Sequence, residues 1–159
     1  VGESGVDKRI DVIATAITGG ILASELADLE LAYAPQFGSA KDPVNMLGHI
    51  AANLRDGLTE TIQWHEVDAA VAAGATVLDV RTQSEHDANA IPGSVLIPLD
   101  DLRDRLDEVP AGDLVVHCAV GLRGYLATRV LEQHRNGQGW GRIRNLDGGM
   151  KTWLAGTGA

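Results

Sequence analysis

The sequence predicts an α/β fold with a small parallel sheet flanked by helices, preceded by a mostly helical N-terminal segment. Three observations predict it. From residue 59 onward, short apolar runs alternate with helical stretches, which is typical of parallel strands covered by helices on both faces. Before that point the chain has helical patterns but no convincing strand. Hydrophobic residues make up 45% of the chain, which excludes a disordered protein.

The N-terminal segment, residues 1–58, is predicted to contain three helices. Isoleucines at helical spacing from Ile10 to Ile17 predict the first, which ends at Gly19-Gly20. A short helix is expected over residues 24–29, and Pro43 suits the first turn of a helix that runs to Arg55. Three helices bury only a small core. We therefore interpret this segment as the tail of a larger domain or as an interface element, and we expect its exposed apolar residues (Ile13, Ile17 and Leu22) to cause self-association.

Residues 59–159 are predicted to form one small domain in which strands and helices alternate. The predicted strands cover residues 61–64, 76–80, 95–97, 114–117 and 143–146, and the predicted helices cover 66–73, 102–106, 124–134 and 150–154. Each predicted strand is a short apolar run bounded by turn-forming or charged residues.

Charge and cysteine content narrow the function classes. The chain has 22 acidic and 13 basic residues, a net charge of −9, which argues against nucleic acid and anionic membranes as partners. It has no apolar run of about 18 residues that could span a membrane, and residues 1–4 do not resemble the start of a signal peptide. A single cysteine fits a reducing compartment, so a cytoplasmic location is expected.

The histidines and the cysteine do not predict a metal site. The five histidines show no His-x-x-x-His spacing, and one cysteine cannot build a multi-cysteine site. We therefore expect no metal in this chain.

The candidate nucleophile is Cys118. A buried strand is predicted to end at this residue, followed by a loop containing Gly121 and a helix that begins near Gly124. Loop N–H groups, the helix dipole and Arg123 would all favour the thiolate, which is the nucleophilic form of cysteine. The alternative is an inert cysteine buried at the end of a strand.

Four separated motifs resemble the signatures of rhodanese (sulfurtransferase) domains. They are Leu78–Arg81 followed by Glu85, Ile91–Pro98, Cys118–Arg123 and Asn145–Trp153. The chain departs from the family pattern at two places: His86 replaces an aromatic residue, and Asn89-Ala90 replaces Gly-His before Ile-Pro.

This resemblance implies a mechanism for Cys118. The cysteine would attack a sulfane sulfur of a small donor, carry it as a persulfide and pass it to a thiol acceptor. The resemblance implies that Arg123 is catalytic and that loop residues bind the anionic substrate; these are Ala119, Val120, Gly121 and Leu122.

Two other functions compete with sulfur transfer. Cdc25-type phosphatases and arsenate reductases resemble rhodaneses, but their loop is one residue longer than the six residues from Cys118 to Arg123. The shorter loop favours sulfur over a tetrahedral oxyanion. The other alternative is a non-catalytic sulfur-docking or dimerisation module.

Residues 27–46 carry a second resemblance, to the end of the dimerisation domain of FAD-dependent pyridine nucleotide-disulfide reductases, and residues 7–17 also fit that domain. The resemblance implies that residues 1–58 are the C-terminal fragment of such a domain. The nearest type is a coenzyme A-disulfide reductase or NADH oxidase with a C-terminal rhodanese domain. This implies a homodimeric parent with N-terminal reductase domains that use FAD, NAD(P)H and coenzyme A, while this chain itself carries no cofactor. It also implies that Tyr33 contacts substrate at the partner subunit.

Four residues are expected to support the site without touching the substrate. Arg81 is predicted to pair with Glu85, and Asp79 to support the catalytic loop. His117 precedes the cysteine, and strand alternation would direct its side chain away from Cys118.

Overall fold

The computed structural model describes residues 5–36 and 38–159, which divide into two units at the boundary between Leu58 and Thr59. Residues 1–4, on which the prediction about a signal peptide rests, lie outside the described residues. Among the helices of the described residues, none has an apolar stretch long enough to cross a bilayer.

The first unit is helical. Helix α1 covers Val6–Thr18, a 3₁₀ helix covers Ala23–Asp28, and α2 covers Pro43–Arg55. The predicted bounds of α2 are therefore correct, and the Asp42 carboxylate caps it by accepting a hydrogen bond from the Val44 amide at 2.9 Å.

A small apolar cluster forms the core of the first unit. Ala16, Leu26 and Val44 are its buried members. Asn45 on α2 holds the 3₁₀ segment, because its side-chain amide donates to the carbonyls of Leu26 at 3.0 Å and Leu29 at 2.9 Å.

The second unit contains a five-stranded parallel sheet, which confirms the predicted fold class. The strands are β1 (Glu60–Ile62), β2 (Thr76–Asp79), β3 (Val95–Leu96), β4 (Gly112–His117) and β5 (Trp140–Leu146). Their order is β1-β5-β4-β2-β3, so β4 lies in the middle of the sheet between β5 and β2.

Helices cover both faces of this sheet. They are α3 (Val67–Ala72), α4 (Gln83–Ala88), α5 (Leu122–Gln133) and α6 (Gly149–Thr157). Alternate residues of β4 point to opposite faces of the sheet and pack in two hydrophobic cores. Leu114 and Val116 pack with residues of α5, whereas Val115 belongs to the core formed with residues of α3 and α6. The inner strands β2 and β4 are mostly apolar and buried, because helices cover both of their faces.

Three sequence predictions of local structure are wrong in detail. The helix predicted over residues 24–29 is a 3₁₀ helix that covers Ala23–Asp28. The first strand ends at Ile62, and Trp64 begins a 3₁₀ turn. Residues 102–106 are turns followed by a 3₁₀ helix at Leu106–Glu108. Leu99, Leu102 and Leu106 pack on the core at spacings of three and four residues, the same spacing as on one face of a helix.

Candidate active site

Cys118 follows the last residue of β4, at the carboxyl end of the sheet's central strand. Open parallel sheets bind their ligands at this edge. The cysteine is free and 1% exposed. The Gly121 amide donates a hydrogen bond to Cys118 Sγ at 3.1 Å, and α5 begins at the next residue, Leu122. A thiol at the end of a buried strand thus receives a backbone donor from the loop that leads into a helix.

The N-terminus of α6 holds the first two peptide groups of this loop. The Met150 amide donates to the Cys118 carbonyl at 2.8 Å, and the Lys151 amide donates to the Ala119 carbonyl at 3.0 Å. In a trans peptide the C=O and the following N–H point in opposite directions. The amides of Ala119 and Val120 therefore point away from α6. The loop donors are oriented by backbone contacts that the sequence pattern did not identify.

Gly149 allows this close approach. Its φ is +58°, in the left-handed region that favours glycine. A Cβ atom at this position would collide with the Cys118 carbonyl oxygen and with backbone atoms of Ala119 and Val120. Any side chain at residue 149 would displace the loop from the α6 N-terminus.

Arg123 is paired with Glu85, which corrects the prediction that Arg81 pairs with Glu85. Arg123 donates to the two carboxylate oxygens at 2.6 and 2.7 Å. These bonds are the largest cause that lowers the pKa of Glu85 to about 2. The Glu85 carboxylate, with smaller contributions from the Cys118 side chain, raises the pKa of Arg123. The guanidinium is therefore fixed beside the cysteine and largely neutralised by its partner.

Asp79 and Arg81 form a buried ion pair. Three hydrogen bonds of 2.7 to 3.1 Å join the guanidinium to the Asp79 carboxylate, and Arg81 also donates to the Asn89 carbonyl and side-chain oxygens. His86 Nδ1 lies 2.9 Å from Asp79 Oδ2. Burial alone would raise the pKa of Asp79, but the bonds from Arg81 and the neighbouring histidines lower it. The residues that depart from the family pattern, His86 and Asn89, belong to this network.

The predicted support of the catalytic loop by Asp79 is thus indirect. Its hydrogen bonds go to Arg81 and His86, and it approaches β4 through His117, whose Nε2 lies 3.7 Å from Asp79 Oδ2. His117 is fully buried, and neither ring nitrogen has a hydrogen-bond partner. Burial is the largest cause that lowers its pKa to about 4. The imidazole is therefore neutral at pH 7.

The remaining predicted site residues differ in exposure. Ala119 and Gly121 are partly buried, whereas Val120 and Leu122 are 63% and 59% exposed, so that two apolar side chains border the loop. Tyr33 belongs to the first unit, where its side chain is exposed. Its contact with substrate stays a prediction. No group of three or more potential metal ligands occurs within residues 5–36 and 38–159.

The fold and the site together define a class: an α/β domain whose central parallel strand ends in a cysteine beneath a helix N-terminus. The rhodanese-like domain model matches residues 63–156. The chain belongs to the rhodanese-like domain family, which confirms the resemblance found in the four motifs.

Two solved structures are similar to nearly the whole chain. The reduced CoADR-RHD protein of Bacillus anthracis has 49% sequence identity and a TM-score of 0.87, with 95% of this chain and 26% of that chain covered. An NAD-dependent persulfide reductase from A. fulgidus has 40% sequence identity and a TM-score of 0.80, with 96% of this chain and 26% of that chain covered.

Curated relatives match parts of the chain. A sulfurtransferase of Allochromatium vinosum is 36% identical over 78 residues, which is 48% of this chain and 69% of the relative. A coenzyme A disulfide reductase of Staphylococcus haemolyticus is 48% identical over 54 residues, 34% of this chain. The match spans 12% of that reductase's length. These relatives support a sulfurtransferase-type domain of the kind found within larger reductases.

Proposed function

We propose that residues 59–159 act as a sulfurtransferase domain in which Cys118 carries sulfane sulfur as a persulfide. The observation that supports this most directly is the 3.1 Å hydrogen bond from the Gly121 amide to Cys118 Sγ, at the point where β4 gives way to α5. A backbone donor aimed at sulfur stabilises the thiolate and, after reaction, the anionic persulfide. An inert buried cysteine would not need such a donor.

The chemistry is two successive displacements at sulfur. The Cys118 thiolate attacks the outer sulfur of a donor such as thiosulfate; a new S–S bond forms, the donor's S–S bond breaks, and sulfite leaves with the electron pair. An acceptor thiolate then attacks the outer sulfur of the Cys118 persulfide. This forms the acceptor persulfide and returns the Cys118 thiolate. Cys118 is the one cysteine of residues 1–159, so the acceptor thiol would come from outside these residues.

Arg123 would stabilise the anionic donor and the leaving group. Its position is supported by the two bonds to Glu85. Since Glu85 offsets much of its charge, we propose that Arg123 acts mainly through directed N–H donors. The exposed Val120 and Leu122 would contact the apolar part of a small sulfur donor or thiol acceptor.

We further propose that the chain functions within a larger flavoenzyme of the coenzyme A-disulfide, persulfide reductase or NADH oxidase type. The match of 95–96% of this chain to about a quarter of two longer proteins supports this. In such a homodimer FAD and NAD(P)H would be bound by reductase domains, coenzyme A would be a substrate, and Tyr33 would reach the reductase site of the partner subunit.

The test is intact mass spectrometry of the chain after incubation with thiosulfate or a polysulfide. We expect the mass to rise by one sulfur atom, and cyanide or a small thiol to remove it. The C118S variant should gain nothing. R123Q should load about tenfold more slowly, because one charge-assisted hydrogen-bonding group is lost. R135Q, which removes an arginine just beyond the C-terminal end of the same helix, should load like the parent.

Phosphatase chemistry gives a different outcome. If the chain hydrolyses an aryl phosphate steadily, loses this activity in C118S and gains no sulfur from any donor, the sulfurtransferase proposal fails. The six-residue loop favours the opposite result.

A further inference from the structure

We propose that Asn145 is a positioning residue that fixes the Cys118 loop from inside the sheet and thereby sets the reactivity of the thiol. This inference rests on the proposed function in taking Cys118 as the reacting group. It concerns a residue on β5, which the loop motif itself does not contain.

Asn145 reaches the loop from the strand beside Cys118. It is paired in register with Val116 of β4 and is 8% exposed. Its side-chain amide donates to the Gly121 carbonyl at 3.2 Å. The same glycine donates its own N–H to Cys118 Sγ at 3.1 Å. Gly121 is therefore held on one side by Asn145 and faces the sulfur on the other.

The backbone of Gly121 depends on such an anchor. Its φ is +108° and its ψ is −32°, a conformation that only glycine adopts readily. Glycine is also the residue with the most backbone freedom to lose. A fixed carbonyl restricts that freedom and keeps the amide directed at Sγ. Because the peptide is trans, the same anchor sets the direction of the Leu122 amide at the start of α5.

Gly124 makes room for Asn145. A Cβ atom at residue 124 would collide with Asn145 Oδ1, although the position lies in the first turn of α5 where alanine would otherwise be favourable. The Oδ1 atom is buried and has no hydrogen-bond partner. A buried unpaired oxygen costs free energy that an apolar residue would avoid. The presence of asparagine at residue 145 is therefore explained by the hydrogen bond that its amide donates to the Gly121 carbonyl, and not by its packing.

The Gly121 carbonyl has a second donor, the Tyr125 amide at 2.9 Å, which forms the first helical bond of α5. Loss of Asn145 should therefore leave the helix in place and loosen only the loop. This separates a positioning role from a general structural one.

The test is the pH profile of Cys118 alkylation by iodoacetamide, measured on N145A. We expect a rate about fivefold lower at neutral pH and a midpoint moved to higher pH, because a less directed Gly121 amide stabilises the thiolate less. The matched control is N45A. It removes the same kind of amide-to-carbonyl anchor from the first unit and should leave the profile unchanged, with circular dichroism confirming that both variants fold.

A second variant keeps the inference testable if N145A does not fold. G124A should displace the Asn145 side chain and shift the profile in the same direction. In the N145A background, G124A should add nothing, since the collision is gone. An unchanged profile in G124A or in folded N145A, or additive effects in the double variant, would overturn the inference. Alkylation needs no sulfur donor, so this test can be read even if persulfide formation fails.

Discussion

Glu85 and Arg123 lie 38 residues apart in the chain and share two hydrogen bonds of 2.6 and 2.7 Å. The bonds tie α4 to the first turn of α5, next to Cys118. Glu85 is fixed from the other side as well, because the Thr82 amide donates to its carboxylate at 3.0 Å. The orientation of Arg123 is thus determined by a helix that follows a different strand.

Replacing Glu85 by glutamine tests this pair. The native pKa of Glu85 is about 2, below its usual 4.5, so its stabilising contribution is complete above about pH 4.5 and is lost as the pH falls toward 2. The side chains are about one-third exposed, which limits the loss in E85Q at pH 7 to less than ~1 kcal/mol. The difference in unfolding free energy between parent and E85Q should shrink at pH 3, as measured by urea titration.

The same variant should also affect sulfur loading. E85Q frees the Arg123 guanidinium from its fixed orientation, so loading from thiosulfate should slow about threefold. E132Q, which breaks a similar ion pair between Glu132 near the end of α5 and Arg135 just beyond it, should load like the parent. Equal loading rates in E85Q and E132Q would contradict a positioning role for Glu85.

His117 predicts a loss of stability at mildly acidic pH. Its native pKa is about 4 against a usual 6.5, so the unfolded chain binds a proton in this interval that the folded chain does not. Stability is therefore complete above pH 6.5 and falls as the pH drops toward 4, by at most about 1.4 kcal/mol per pH unit. The titratable groups that face the imidazole are Asp79, Arg81 and His86.

H117L removes this titration, and its unfolding free energy should vary less between pH 6.5 and 4 than that of the parent. Urea titrations at several pH values measure the two slopes. Parallel slopes in parent and variant would show that another group dominates.

Gly149 should tolerate no side chain. In G149A the new Cβ meets the Cys118 carbonyl, so we expect both reduced stability and at least tenfold slower sulfur loading. The matched control is G93A: its φ of +77° imposes similar backbone strain, but no atom lies within 4 Å of the added Cβ. If G149A and G93A lost stability and sulfur loading to the same extent, then backbone strain, and not the collision with the loop, would be responsible.

The first unit predicts self-association of this chain. Ile17, Leu22 and Leu47 are 74%, 63% and 52% exposed, whereas Ile13 packs against the small core and does not join this exposed set. We expect light scattering to give a mass above that of the monomer, and I17E or L47E to lower it. V71E, at an exposed apolar residue of the second unit, should not. A monomeric mass for the parent chain at high concentration would contradict this prediction.

Local sequence patterns predicted most of the helices and strands, because the formation of each depends mainly on residues that are neighbours in the chain. Asp42 and Pro43 define the start of α2, and the apolar runs define β2 and β4, since capping and strand burial are encoded within a few positions. The helix predicted over residues 102–106 is wrong for the same reason, because that prediction rested on local spacing alone. The spacing of its leucines reports contact with the core, and that spacing does not distinguish a helix from successive turns.

By itself the sequence determined the α/β fold class, the rhodanese-like family and the candidate nucleophile Cys118, because each depends on periodicity or on a contiguous motif. Only the tertiary structure decided which groups surround that cysteine. The strand order β1-β5-β4-β2-β3 sets β5 and β2 on either side of β4, which brings Asn145 and the α6 N-terminus to the loop and leaves Arg81 with Asp79. Because Arg81 is bound to Asp79, Glu85 is bound by Arg123 instead. Hydrogen-bond partners that are distant in the chain follow from how strands are ordered in space, and no local pattern encodes that order.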